Sequence, residues 1–230
     1  MMAAADIARL AAAAPLAEGY RFVLLERTQI GALISFIAEW LPHISVGSAS
    51  CFLREEFYDQ KVFFPDAPDR DSLLLLLKHG DDLAGMFACE LDHEALSVYG
   101  ALGVAAPWHR GANLAYAGMM FTEAIGRHTG MGFIYGMATL RSPHAQAAFE
   151  RAGWQLIGIT PGYDREMVAP GVVKRVFEAI YCKVLVTDAG LLYPQRHNLT
   201  PRTEAFFDWI LSTRPASQSA PFFVDPLSGS

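Results

Sequence analysis

The sequence is poor in nearly everything that points to nucleic acid, membrane or metal. Its 230 residues carry Lys+Arg 18 against Asp+Glu 24, a net charge of −6 and a pI of about 5.6. No block of basic residues appears, and a surface that tracks phosphates needs clustered positive charge, so nucleic acid is not an expected partner. Cysteine is scarce. Cys51, Cys89 and Cys182 are far apart and form no C-x-x-C, and two of them sit inside apolar runs. That pattern argues against a disulfide framework and for a reducing, cytoplasmic setting. No apolar run is long enough to span a bilayer: Ile30 to Leu41 is too short and carries Glu39. The N-terminal stretch lacks a basic n-region and is interrupted by Asp6 and Arg9, so it reads as a loosely held helix rather than a signal peptide. No internal repeat is visible. Asp92-His93-Glu94 offers metal-type ligands but belongs to a turn, with no partner His or Cys cluster, so no metal is expected.

What the chain does have is 52% hydrophobic and 12% aromatic residues, enough for one domain with a real core. Residues 1–19 read as an N-terminal helical extension, 20–187 as the domain, and 188–230 as a tail with one short helix near Thr203 to Leu211. The last dozen residues, rich in Ser and Pro, are expected to be disordered. Within the domain, Tyr20–Glu26 reads as a strand. Thr28 is the expected N-cap of a helix from Ile30 to Leu41, and a second helix runs from about Ala49 to Gln60. Ser72–Lys78, with five consecutive leucines, reads as a buried strand, His79–Asp82 as a hairpin turn, and Leu83–Leu91 and Ala95–Ala105 as the next strands. Apolar residues at helical spacing follow from Leu114, with Glu123 and Arg127 as an outer-face pair and Gly130 at the C-terminal end. Then come a strand (Gly132–Leu140), a helix (Pro143–Ala152), a strand (Trp154–Thr160), a polar loop (Pro161–Lys174) and a last strand (Phe177–Val186). Hairpins first and α/β alternation later define a mixed α+β fold with one sheet, not a doubly wound one. Gly130-Met-Gly132-Phe-Ile-Tyr-Gly136 precedes a strand, so it is not a dinucleotide fingerprint.

The most informative segment is Ala105–Ala115 (AAPWHRGANLA). An apolar strand ends at a proline, a short turn carries Arg110-Gly111, and a helix begins. Free backbone N–H groups and the positive end of a helix dipole then point at one spot, which suits a phosphate. Further on, Ser142–Trp154 (SPHAQAAFERAGW) follows another apolar strand.

Together the two segments resemble the GNAT superfamily of acyl-CoA-dependent N-acyltransferases. Ala105-x-Pro107, Arg110, Gly111, Leu114 and Ala115 match the family's strand end and phosphate turn, with Asn113 where a glycine is usual. Ala145, Glu150, Gly153 and Trp154 match its second signature, with Arg151 for lysine, Ser142 for asparagine and Phe149 for tyrosine. The resemblance implies a single α/β domain around a mostly antiparallel central sheet splayed in the middle and flanked by helices. It implies acetyl-CoA or another acyl-CoA as donor, a small-molecule or peptide amine as acceptor, and direct attack on the thioester. It also implies a donor site at Val104, Ala105, Arg110, Gly111, Ala112, Asn113, Leu114, Ala115, Thr139, Ser142 and Phe149. Asn113, a good helix-start residue, is expected to cap.

The chain departs from the family where acid–base chemistry is done. Phe149 has no proton to give a departing thiolate, and no carboxylate lies between Ala95 and Ala106. Tyr99 is the candidate catalytic residue, with Tyr135 and His144 as alternatives. The acceptor is expected beneath the two early helices and the 161–174 loop, where Asp164, Arg165 and Glu166 are candidates for selecting it. Two other readings stay open. Leu53-Arg-Glu-Glu-Phe-Tyr58 faintly resembles the N-acyl amino acid and autoinducer synthases, which take long acyl chains from acyl carrier protein. Alternatively, the chain binds acyl-CoA as a catalytically weak sensor or interaction protein. A homodimer through the C-terminal segment is also open.

Overall fold

In the computed structural model, residues 3–214 are described. The expected disorder of the last dozen residues lies outside them. The elements run α1 (Ala4–Ala12), β1 (Tyr20–Leu24), α2 (Ile30–Trp40), α3 (Glu55–Lys61), β2 (Ser72–His79), β3 (Asp82–Asp92), β4 (Ser97–Ala105), α4 (Leu114–His128), β5 (Phe133–Thr139), α5 (Pro143–Arg151), β6 (Gln155–Ala169), β7 (Val172–Val184) and α6 (Pro201–Ser212). One seven-stranded sheet has the order β1-β2-β3-β4-β5-β7-β6, antiparallel throughout except for the parallel pair β4–β5.

The leucine run of β2 shows why the sheet is a middle layer. Side chains alternate between faces along a strand. Leu73, Leu75 and Leu77 enter one core cluster with α1, α4 and α5, while Leu74 and Leu76 enter another with α2 and α3. A strand covered on both faces has no polar side, hence the unbroken run.

The N-terminal helix is held firmly. Ile7 is fully buried and Ala11 nearly so, both in the cluster with α4. Burying a side chain like Ile7 is worth about 1.5–3 kcal/mol, against the loose helix expected. Three further expectations shift. Glu26, not Thr28, forms a reciprocal capping box with Gln29 before α2. The stretch 49–60 breaks at Arg54, whose extended backbone separates a short 3-10 turn (Ser48–Leu53) from α3. Glu123 is buried rather than outward. It accepts from Arg127 on its own helix and at 2.7 Å from Lys183 on β7.

The largest difference is residues 161–174. They are no loop: β6 and β7 form one long hairpin joined through Pro170 and Gly171. Pro161 is tolerated because β6 is an edge strand and the register breaks between Thr160 and Asp164.

Candidate functional site

β4 and β5 pair only from Ser97–Phe133 to Gly100–Gly136. Beyond that rung β4 stays bonded to β3, and β5 to β7, but not to each other. Ala101 is passed over as the β3–β4 register shifts, a bulge that turns β4 away. Phe149 of α5 lies under the opening. A Cβ on Gly136 would meet its ring, and the ring stacks on Tyr181 at 5.0 Å with a 4° interplanar angle. The gap is occupied by a cavity of about 250 Å³, with Gly100–Gly103 on one wall and Met137–Thr139 on the other.

At one end of β4 lies the turn. Pro107–His109 is a single 3-10 turn, in which the amides of His109 and Arg110 are spent on Ala106 and Pro107, and the Ala112 amide bonds to His109. The amides of Gly111, Asn113, Leu114 and Ala115 find no acceptor among the described residues. The open donors therefore run from Gly111 into the first turn of α4. Gly111 (φ 102) and Asn113 (φ 60) both adopt left-handed backbone, which aims successive amides to one side. Asn113 makes no side-chain cap, contrary to expectation. Its Oδ1 instead accepts from Arg151 at 3.2 Å, so the two sequence motifs touch. Arg151 also covers the Tyr116 ring at 4.5 Å.

On the opposite face of the sheet, the cavity opens toward the segment between α2 and α3 and toward the β6–β7 hairpin. Asp164 accepts from the Ser48 amide at 3.0 Å and from the Ser48 hydroxyl at 2.6 Å, clipping that segment to the hairpin. Gly47 makes the approach possible: its φ is 87, and a Cβ would strike the Arg165 carbonyl. Arg141 pairs with Glu166, and His43 stands beside them with its pKa lowered by burial. This side of the cavity is thus framed by residues 41–49 and the hairpin rather than by α2 and α3.

Glu178 on β7 reaches the same cavity. Burial, and then the neighbouring carboxylates of Asp164 and Glu166, push it up to about 7. No hydrogen-bond partner engages its side chain among the described residues. Sequence reasoning missed Glu178 because it searched only β4 for a carboxylate. The signal was a single carboxylate within the apolar run Val176–Tyr181.

Of the candidate residues, Tyr99, Ala115, Thr139, Phe149, Asp164 and Arg165 line the cavity. Tyr99 stacks on Tyr135 at 5.0 Å, and burial, followed by Glu178, raises its phenol pKa strongly. Val104, Ala112 and Leu114 are buried, with their side chains in the core clusters. Ala105 pairs with Gly85 on β3. Arg110 is exposed beside the turn. Ser142 is the N-cap of α5, accepting from the His144 amide, and does not line the cavity. Trp154, 2% exposed, also lines the cavity, and its indole N–H has no acceptor. Among the described residues, no three His, Cys, Asp or Glu side chains cluster as metal ligands, and no helix is long and apolar enough to cross a membrane.

A mixed sheet with one splayed parallel pair, and a helix N-terminus at the splay, defines the GNAT N-acyltransferase fold, and this chain has it. The spermidine/spermine N-acetyltransferase SpeG from Vibrio cholerae is similar with a TM-score of 0.55 and 15% identity, over 73% of this chain and 95% of that one. RimL, a ribosomal L7/L12 alpha-N-protein acetyltransferase, aligns with a TM-score of 0.55 and 9% identity over 76% and 99%. The microcin C7 self-immunity acetyltransferase MccE, solved with acetyl-CoA and AMP, aligns with a TM-score of 0.56 and 15% identity over 74% and 94%. No family model matches the sequence, and no curated protein is a sequence match.

Proposed function

We propose that the protein transfers an acyl group from acyl-CoA to a primary amine. The observation that carries this is the continuity of one cavity, from the splayed strands beside the open amides of α4 to the Glu178 carboxylate. Gly111 and Asn113–Ala115 hold the pyrophosphate, with Arg110 and Arg151 alongside. The pantetheine arm fills the gap between β4 and β5 and takes up their unpaired backbone groups. The Trp154 indole N–H, otherwise unsatisfied, donates to a carbonyl of the donor arm.

The amine nitrogen attacks the thioester carbonyl carbon. A C–N bond forms, the C–S bond breaks, and CoA departs as a thiolate. Glu178 takes the proton released from nitrogen; a carboxylate titrating near 7 is matched to that task. Phe149 supplies no proton. Tyr99 holds its own proton too tightly to be a good acid, so it serves as a hydrogen-bond donor and solvent protonates the thiolate. Much of the acceleration then comes from holding thioester and amine together.

Glu178 favours turnover over a purely sensing role, and the open turn favours CoA over a carrier protein as donor. The test is a melting-temperature series with acetyl-CoA and longer acyl-CoAs, followed by thiol release across an amine panel. A donor-dependent rise in melting temperature with thiol release supports the reading. No rise with any acyl-CoA overturns it.

A further inference from the structure

A second cavity, of about 570 Å³, opens on the same face of the sheet between α3 and the paired ends of β3, β4 and β5. Its floor is a single row of cross-strand partners: Ser72 with Glu90, Glu90 with Tyr99, and Tyr99 with Tyr135. The two tyrosine rings are stacked, and Phe57 of α3 lines the cavity with them. Tyr99 belongs to the walls of both cavities and feels both Glu178 in the first and Glu90 in the second.

Three observations define what this space takes. Phe57, Tyr99 and Tyr135 line the cavity, and an aromatic ring attracts cations. The Glu90 carboxylate has no hydrogen-bond partner among the described residues. Burial and Asp71 raise its pKa while Lys61, also in the wall, opposes them. Of the other acids in the wall, Asp71 faces His93 at 3.5 Å and Asp92 accepts the amides of Glu94 and Ala95, while Glu94 is exposed at the rim. Finally, Ser72 and Ser97 are 4% and 7% exposed, both line the cavity, and neither hydroxyl has a hydrogen-bond partner among the described residues. A carboxylate, hydroxyl acceptors and aromatic faces together suit an ammonium group, which donates and carries charge.

We propose that this cavity binds an ammonium group at the end of the acceptor remote from the nitrogen that is acylated, making a linear aliphatic diamine the favoured acceptor class. The link to acylation rests on the acyltransfer reading; the binding of the ammonium group does not require the donor.

The experiment is calorimetric titration of the wild-type protein, without donor, with cadaverine and with pentylamine, repeated on Glu90→Gln, Glu90→Asp and Tyr135→Leu. Cadaverine should bind the wild type about tenfold more tightly than pentylamine, a difference of about 1.4 kcal/mol. Glu90→Gln should erase most of that preference, Glu90→Asp should restore it, and Tyr135→Leu should weaken cadaverine with the charge intact. Equal binding of the two amines, or unchanged cadaverine affinity in Glu90→Gln, overturns the proposal. Glu90-dependent cadaverine binding without acyl-CoA-dependent thiol release would strike the acyltransfer reading and leave this site standing. Thiol release from monoamines and diamines alike, indifferent to Glu90, would do the reverse.

Discussion

Glu178 on β7 is paired with Thr139 on β5 at the far end of the β5–β7 ladder, on the side where β5 has parted from β4. That rung carries the carboxylate to the cavity wall, within the field of Asp164 and Glu166 on the adjoining hairpin strand. Both the proposed chemistry and the pH behaviour follow from this placement.

Glu178→Gln should lower kcat/KM by roughly 10²–10⁴-fold, the usual loss on removing a positioned base. In the wild type, the rate should climb as pH rises through about 7, where the group ionises. The variant should lose that limb. Steady-state kinetics between acidic and alkaline pH check both.

The same residue carries a stability signature. Its pKa is raised from 4.5 to about 7 on folding, so the folded chain binds the proton more tightly than the unfolded one. The stability this contributes is present below 4.5 and is lost as pH rises through about 7. Melting curves should therefore show Glu178→Gln gaining on the wild type on the alkaline side and losing that gain in acid.

Asp164→Asn removes one of the charges that raises Glu178. The activity limb should move to lower pH. Loss of a full carboxylate at Ser48 should also raise KM for the acceptor, because the segment at residues 47–48 is held by that contact.

Arg110→Glu puts a like charge beside the open amides of Gly111 and Asn113–Ala115. Each exposed helix-end charge interaction is worth about 0.3–1 kcal/mol, so reversal should weaken acyl-CoA binding roughly threefold to thirtyfold. The effect should shrink as salt is added. Titration with desulfo-CoA at two ionic strengths measures it.

Trp154→Phe removes a buried donor that has no acceptor in the free protein. The smaller ring leaves a cavity, so the free protein should melt lower, and donor affinity should also fall by a few-fold, about the value of one net hydrogen bond. A loss of stability with unchanged donor affinity would show that the indole only packs.

Much of the fold is legible along the chain. The five leucines of β2 announce a strand buried on both faces, and Pro107 and Gly111 mark a strand end and a helix start within about three residues of where they occur. Turn signals misled at residues 161–174. Pro161, Gly162, Pro170 and Gly171 read as a loop, yet only Pro170 and Gly171 turn the chain, and the others sit at an irregularity of an edge strand. Glu123 looked like a surface partner of Arg127 because helix spacing says nothing about Lys183, which arrives from a strand far along the chain. Tyr99 drew notice because it lies on the strand before the turn, and it lines the cavity. Glu178 and Glu90 were not, because neither adjoins that motif in sequence.

By itself the sequence determined which segments become strands and helices, the two layers that β2 must separate, and the open-amide turn, because these depend on side-chain alternation, capping and backbone freedom among near neighbours. Only the tertiary structure decided which carboxylates reach the cavities. β7 threads between β5 and β6, so Glu178 arrives beside Asp164 and Glu166, and the row Ser72, Glu90, Tyr99 and Tyr135 forms across strands distant in sequence. A carboxylate's proton affinity is set by burial and by charges a few ångströms away in space, which strand order arranges and local sequence does not.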